Sequence, residues 1–262
     1  MKKSILFIFT ACFLFTTSCS DFLDEEHKTK YSSEYVFGTP EGLKLAVNAL
    51  YALQRYYAND TENATIFALE RGTDLAVTNG GTGNFYGIYD PNYLKPSASQ
   101  VGFMWRTMYQ IIGKANEIIA AAEDLEDTPS LRATVSEAKC FRAQSYFLLY
   151  RTFDRIWLNI QPTTAENVND PRDFHAASEK EVFDLIYEDL EYAITNLDWV
   201  SDEAGRFTQA AARHMKAKAA LWLKDWDTTL EQVEEIEKSG HFDLIALNEV
   251  FNARDLNHKE AL

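Results

Sequence analysis

Cysteine is scarce in this chain: Cys12, Cys19 and Cys140 are the only three in 262 residues. No CxxC pair occurs, which argues against a structural zinc site or a thiol redox pair. The five histidines, His27, His175, His214, His241 and His258, are scattered, with no two at metal-ligand spacing and no HExxH. A G-x-S-x-G elbow is also missing. The stretch "GGTGNFYG" lacks the Lys-Ser/Thr and the helix that follow in a phosphate loop. No metal and no cofactor is therefore expected. Positive charge is in short supply too: 25 Lys and Arg stand against 40 Asp and Glu, a formal net charge of −15. With no basic stripe to offset it, such a surface repels phosphate backbones and argues against nucleic-acid binding. So many acids give a catalytic carboxylate pair no distinguishing mark, and most read as a solvated face.

What is present begins at the N-terminus. "MKK" is followed by the apolar run "SILFIFTACFLF" and the small residues "TTS". This order is that of a secretory signal, and the run is short of the ~20 residues of a membrane span. It leads straight into Cys19, and Asp21, Asp24, Glu25 and Glu26 follow. A cysteine at that junction resembles a bacterial lipobox, although Thr16 stands where Leu is usual. Cys19 would then carry acyl chains, which anchor by burying methylenes. Residues 1–18 read as signal peptide, 19–38 as an extended acidic tether and 39–262 as the folded body. With Cys12 removed and Cys19 acylated, Cys140 reads as a small buried apolar residue.

The body reads as helical. Thr39 is placed to N-cap a helix with Pro40 at its first position, and Leu43, Ala46, Val47, Leu50 and Leu53 form its apolar face. Further helices are expected over about 99–124, 130–153, 178–197, 208–226 and 228–240. Ser178 and Glu181 form a capping box, and Gly240 is placed to end the last helix. Ala138, Phe141, Ala143, Phe147 and Leu149 match Ala212, Met215, Ala217, Leu221 and Leu223 at a constant shift of 74. Two 34-residue tetratricopeptide units plus an insertion at 155–177 would give that shift, and chance likeness of two Ala-rich helices is the alternative. The expected class is mainly α, a tetratricopeptide-like (α/α) repeat body with one long aromatic and Gly-rich loop. Trp105, Trp222 and Trp226 read as core, and Trp157 lies on a loop with its role open.

That long loop spans about 58–96. Phe85, Tyr86, Tyr89 and Tyr93 share it with Arg71, Asp74, Asn79 and Asn84. Aromatic rings stack on the C–H faces of sugars, and polar side chains hydrogen-bond their hydroxyl edges, so the loop is a candidate glycan platform. The tyrosines could equally pin the loop to the helices.

Several stretches resemble one family, the SusD/RagB outer-membrane glycan-binding lipoproteins. "CSDFLDEE", "YQIIGKANEII", "EAKCFRAQSYFLLYRTF", "PRDFHAASEKEVFDLIYEDLEYAITNL", "GRFTQAAARHMKAKAALWLKDW" and "EEIEKSGHFDLI" follow its motifs in order. The acidic stretch after Cys19 resembles its surface-export signal. Where that family usually shows Gly-Asp-x-Pro-Leu, this chain has Asp154-Arg155-Ile156-Trp157-Leu158, which calls the local turn into question. About as much chain again normally follows the matched region, so a sequence ending "NHKEAL" reads as a short or truncated member. The resemblance implies a lipid-anchored body on the outer membrane that captures oligosaccharides for a SusC-like TonB-dependent transporter and performs no chemistry on them. The alternative is a tetratricopeptide-type protein-interaction scaffold without a glycan site of its own.

Overall fold

A computed structural model describes residues 31–59, 95, 99–171, 174–247 and 259. The chain divides into two units, Met1–Ser33 and Glu34–Leu262, and of the first only residues 31–33 are among those described. Every described element is a helix: α1 (Ser33–Gly38), α2 (Pro40–Asn59), α3 (Ser99–Ala122), α4 (Pro129–Phe153), α5 (Glu179–Asn196), α6 (Gln209–Leu223) and α7 (Trp226–Lys238). The expected mainly helical class is what the structure has. Among the described residues no helix is long and apolar enough to cross a membrane.

Local chemistry accounts for the helix ends. The Thr39 hydroxyl accepts from Gly42 N at 3.0 Å and donates to Tyr35 O at 2.8 Å, so one side chain caps α2 and ties it to α1. A Cβ on Gly42 would sit 2.2 Å from Tyr35 O and 2.6 Å from Val36 O, so only glycine allows this approach. Residues 33–38, expected to be extended, are helical instead. Thr128 caps α4, and Ser178 with Glu181 forms the expected capping box of α5. Hydrogen bonds donated by the Ser178 hydroxyl and by its N–H hold the exposed Glu181 carboxyl below its usual range. Gly240 follows α7 at φ 69°, as its sequence position suggests.

Successive helices pack on one another from α2 to α7, and α4 is the hub, touching α2, α3, α5 and α6. The core centres on Phe141, Tyr146 and Leu149 of α4, with Ile111 and Ile112 of α3 and Ile186 of α5. Cys140 is fully buried and free, and desolvation pushes its thiol well up, as befits a packing residue.

The proposed repeat holds at its small residues. Ala138 and Ala212 are both fully buried, as nearly are Ala143 and Ala217. At the large positions the two helices part: Phe141 and Leu149 are buried where Met215 and Leu223 are only partly so, and Leu221 is half exposed where Phe147 is partly buried. The reading of Trp222 and Trp226 as core is wrong: they are 48% and 58% exposed. For Trp226 the cause is a helix boundary. α6 stops when Lys224 turns left-handed at φ 61°, and Asp225 caps a new helix by accepting from Thr228 N at 3.1 Å. Trp226 thus opens α7 instead of closing α6, and points outward. Trp105 does pack against the core, edge-on to Phe153 at 5.1 Å.

Candidate functional site

The residues singled out from sequence, Cys19 and the loop set Arg71, Asp74, Asn84, Phe85, Tyr86, Tyr89 and Tyr93, lie outside the described residues. The surface that can be described is built by the segment after α4, residues 154–171 and 174–177, which carries Trp157.

This segment departs from α4 through a strained turn. Asp154 has φ 61° and ψ −51°, and Arg155 N donates across it to Phe153 O at 2.6 Å, a γ-turn of positive φ. The turn survives without the glycine expected there because an aspartate has taken the conformation. Ile156 is then buried, and its carbonyl accepts from Ala177 N at 2.8 Å, closing the loop at its base.

Two tyrosine hydroxyls hold the next stretch. Tyr109 of α3 accepts from Trp157 N and donates to Trp157 O, both at 2.9 Å. Tyr146 of α4 does the same to Asn159, both at 2.8 Å. Burial raises the pKa of both phenols against the opposing effect of these backbone hydrogen bonds, so they stay protonated donors. Asn116 of α3 adds a third strap, Nδ2 donating to Asn159 O at 2.7 Å.

Behind the straps runs a buried charged chain. Asn116 Oδ1 accepts from Arg142 NH1 at 2.8 Å. Arg142 grips Asp189 through Nε at 2.7 Å and NH2 at 2.8 Å, and Lys139 Nζ reaches the same carboxylate at 2.8 Å. Asp189 on α5 is wholly buried. Three helices are thereby coupled to one loop: α5 through α4 to α3, and α3 to residues 159 and 161. A buried carboxylate needs such partners to offset its desolvation.

A second network joins α2, α4 and the segment before α6. The Tyr51 hydroxyl donates to Glu137 and accepts from Phe207 N at 2.7 Å, while Arg206 pairs with Glu137 at 3.4 Å and Glu203 at 3.2 Å. Desolvation raises the Glu137 carboxyl even against Tyr51 and Arg206. A cavity of about 480 Å³ opens beside it, lined by Lys44, Asp198, Glu203 and Arg206 among others.

The outer face of the strapped loop is aromatic. Phe153, Trp105, Tyr109, Trp157 and Phe174 form a ladder with centroid separations of 5.1, 4.8, 6.4 and 4.9 Å. It runs from partly buried rings packed on the core to Phe174, which is 70% exposed. Beside it lies a cavity of about 390 Å³ lined by residues 157–162 with Asn167, Asp170 and Pro171. The Asn167 amide is spent on Thr164 N and Pro162 O. Trp157, Asn159, Gln161 and Asp170 remain to shape the opening, and among the described residues that line it none is Lys, Arg or His. Ring faces beside amides and one carboxylate suit a ligand with apolar faces and hydroxyl edges. Among the described residues no group of three or more His, Cys, Asp or Glu could hold a metal ion.

A family model described as starch-binding and associating with the outer membrane matches residues 21–221. The chain belongs to this SusD-like family. A SusD-like protein of Bacteroides ovatus is 28% identical over 240 residues, covering 87% of this chain and 40% of its own length. A solved SusD-like carbohydrate binding protein from Bacteroides fragilis superposes with TM-score 0.67 at 19% identity, over 80% of this chain and 42% of that one. A laminarin binding SusD-like protein gives TM-score 0.67 at 25% identity, over 79% and 45%. The chain spans 40–50% of the length of the curated SusD-like relatives it matches.

The polar residues of the SusD-like motifs have a structural explanation. Asn116, Arg142 and Asp189 meet in the first network, and Glu137 and Arg206 in the second. Sequence reasoning quoted those motifs without assigning these residues a role, because pairing across 26 to 69 positions has no local signature. It left Trp157 open and passed over Phe174. The available signal was a lone large ring in the polar run "NDPRDFHAAS", where no apolar period explains it.

Proposed function

We propose that this chain is a cell-surface glycan-binding lipoprotein that captures oligosaccharides and passes them to a SusC-like TonB-dependent transporter, without chemistry on them. The observation that carries the reading is the family match over residues 21–221, with a laminarin binding protein among the relatives of the same fold. In this reading residues 1–18 are the signal peptide, acyl chains on Cys19 hold the protein to the outer membrane, and 39–262 is the binding body. Tyr86, Tyr89 and Tyr93, with Phe85, Arg71, Asp74 and Asn84, form the principal platform. Affinity electrophoresis against a polysaccharide panel tests it: at least one glycan should retard the protein, and Tyr86→Ala and Tyr89→Ala should weaken that retardation. No retardation by any glycan sinks direct binding, and release of reducing ends would overturn the non-catalytic role.

One observation favours the scaffold alternative. Leu221, Trp222, Trp226, Leu230 and Val233 leave an apolar stripe exposed on α6 and α7. Single exposed apolar residues are ordinary, but a contiguous group marks a protein-contact surface. Co-purification with a large outer-membrane protein, with no glycan binding, would select that reading.

A further inference from the structure

We propose that the groove between α2, α4 and α6 docks an acidic peptide segment of a protein partner, its carboxylates paired with Arg151, His214 and Lys218 and an apolar side chain on its floor. The inference goes beyond the glycan-binding reading above and does not rest on it.

The first ground is the place of the groove in the fold. α4 touches both α2 and α6, so these alternate helices of the stack lie side by side. Helical repeat arrays use such a row as their binding surface. Here the row holds a cavity of about 210 Å³. Pockets for drug-sized ligands run from about 300 Å³ upward, so this one suits a single side chain of a longer partner.

The second ground is the lining. Met108, Ala143, Ile186 and Leu190 are buried at the floor, with Phe147 and Met215 partly buried beside them. A sugar would lose the hydration of its hydroxyls against that floor, whereas an aliphatic side chain gains by burial there. Gln54 of α2 and Gln144 of α4 also line the groove, and among the described residues neither amide has a hydrogen-bond partner. A primary amide offers both a donor and an acceptor, which matches the N–H and C=O of an extended main chain.

The third ground is charge. Arg151 of α4 and His214 and Lys218 of α6 share the groove, on a chain of net charge −15. Arg151 and Lys218 are exposed, and the Arg151 guanidinium is held over the Phe147 ring at 4.7 Å from its centroid, which fixes its place. Lys218 disfavours the charged form of His214, so these two cations act on one another. A carboxylate between them relieves that repulsion.

Fluorescence anisotropy with the full chain, prepared without acyl groups, tests the proposal. The probe is a labelled octapeptide of alternating Glu and Leu. The same peptide with Gln for Glu, the same with Ser for Leu, and trigalacturonate are compared with it. Arg151→Gln combined with Lys218→Gln is set against Lys180→Gln combined with Lys238→Gln, which removes equal charge from exposed positions on α5 and α7. The Glu-Leu peptide should bind wild type, and both replacement peptides should bind more weakly. The groove variant should lose about threefold to tenfold in affinity and the other variant little. Thermal melts should coincide because all four side chains are exposed. No binding of the Glu-Leu peptide at millimolar concentration, equal binding of the Ser peptide, or equal losses in the two double variants overturns the docking site. Trigalacturonate that binds wild type more tightly than the peptide, and is lost in the groove variant, overturns the peptide assignment in favour of an acidic sugar. None of these outcomes touches retardation by neutral polysaccharides, on which the glycan-binding reading is tested.

Discussion

Asp154→Gly should stabilise the protein by about 1–2 kcal/mol, the balance of three effects at one residue. Asp154 holds φ 61° and ψ −51° inside a γ-turn, and its side chain is exposed. A non-glycine residue in such a region costs about 1–3 kcal/mol. Glycine removes most of that cost but gives back roughly 0.5–1 kcal/mol through the greater freedom of the unfolded chain. The aspartate also sits at the C-terminus of α4, where a negative charge opposes the helix dipole by about 0.3–1 kcal/mol. In a chain of this size each kcal/mol moves the melting temperature by about 2–4 °C, so a rise of roughly 2–8 °C is expected. Thermal unfolding followed by circular dichroism measures it. Asp154→Ala separates the causes, since it removes the charge and keeps the Cβ; it should gain little or lose stability. The strain argument is refuted if the glycine variant melts no higher than the alanine variant.

Asp189→Ala should cost about 3–5 kcal/mol, because Arg142 and Lys139 would be left buried without their counter-charge; denaturant unfolding measures it, and a loss under 1 kcal/mol would contradict the buried network. Gly42→Ala should cost about 1–3 kcal/mol, since the new methyl must displace the α1 backbone 2.2 Å away; an unchanged melting curve would show that α1 yields freely. Burial, then Lys218, holds His214 below the ordinary histidine range. The unfolded chain therefore takes up that proton first on acidification, and stability should fall as pH drops from about 6.5 through the depressed value. His214→Gln should flatten that part of the pH–stability profile, and an unchanged slope would assign the proton elsewhere. Glu137 acts in the opposite sense: its raised value makes stability fall as pH rises through its own window, so the comparison is with the variant and not with a flat line.

Most helices were legible because their signals are local. Thr39, Ser178 and Gly240 mark their ends by capping chemistry, and Leu43, Val47 and Leu50 show the period that buries them. The boundary between α6 and α7 was not legible because it rests on Lys224 adopting a conformation that its side chain does not advertise. Everything downstream of that error followed, including the placing of Trp226. The helical state of 33–38 was hidden for a different reason: it depends on the contact across Gly42, whose bare Cα reads in sequence as a helix weakness and not as a packing requirement. Of the candidate site, the aromatic loop could be noticed by composition alone. The strapped segment could not, because its order comes from Tyr109, Asn116 and Tyr146, which sit on helices where they read as ordinary amphipathic positions.

The two tyrosine straps grip only main-chain atoms. Each hydroxyl satisfies one residue's N–H and its C=O together, so the side chain of that residue does not enter the contact. The course of 157–161 therefore tolerates change at the exposed Ile160 and Gln161, while Leu158, packed on the core, and Trp157, stacked on Tyr109, add side-chain contacts of their own. Such a segment can be varied at its exposed positions without being refolded.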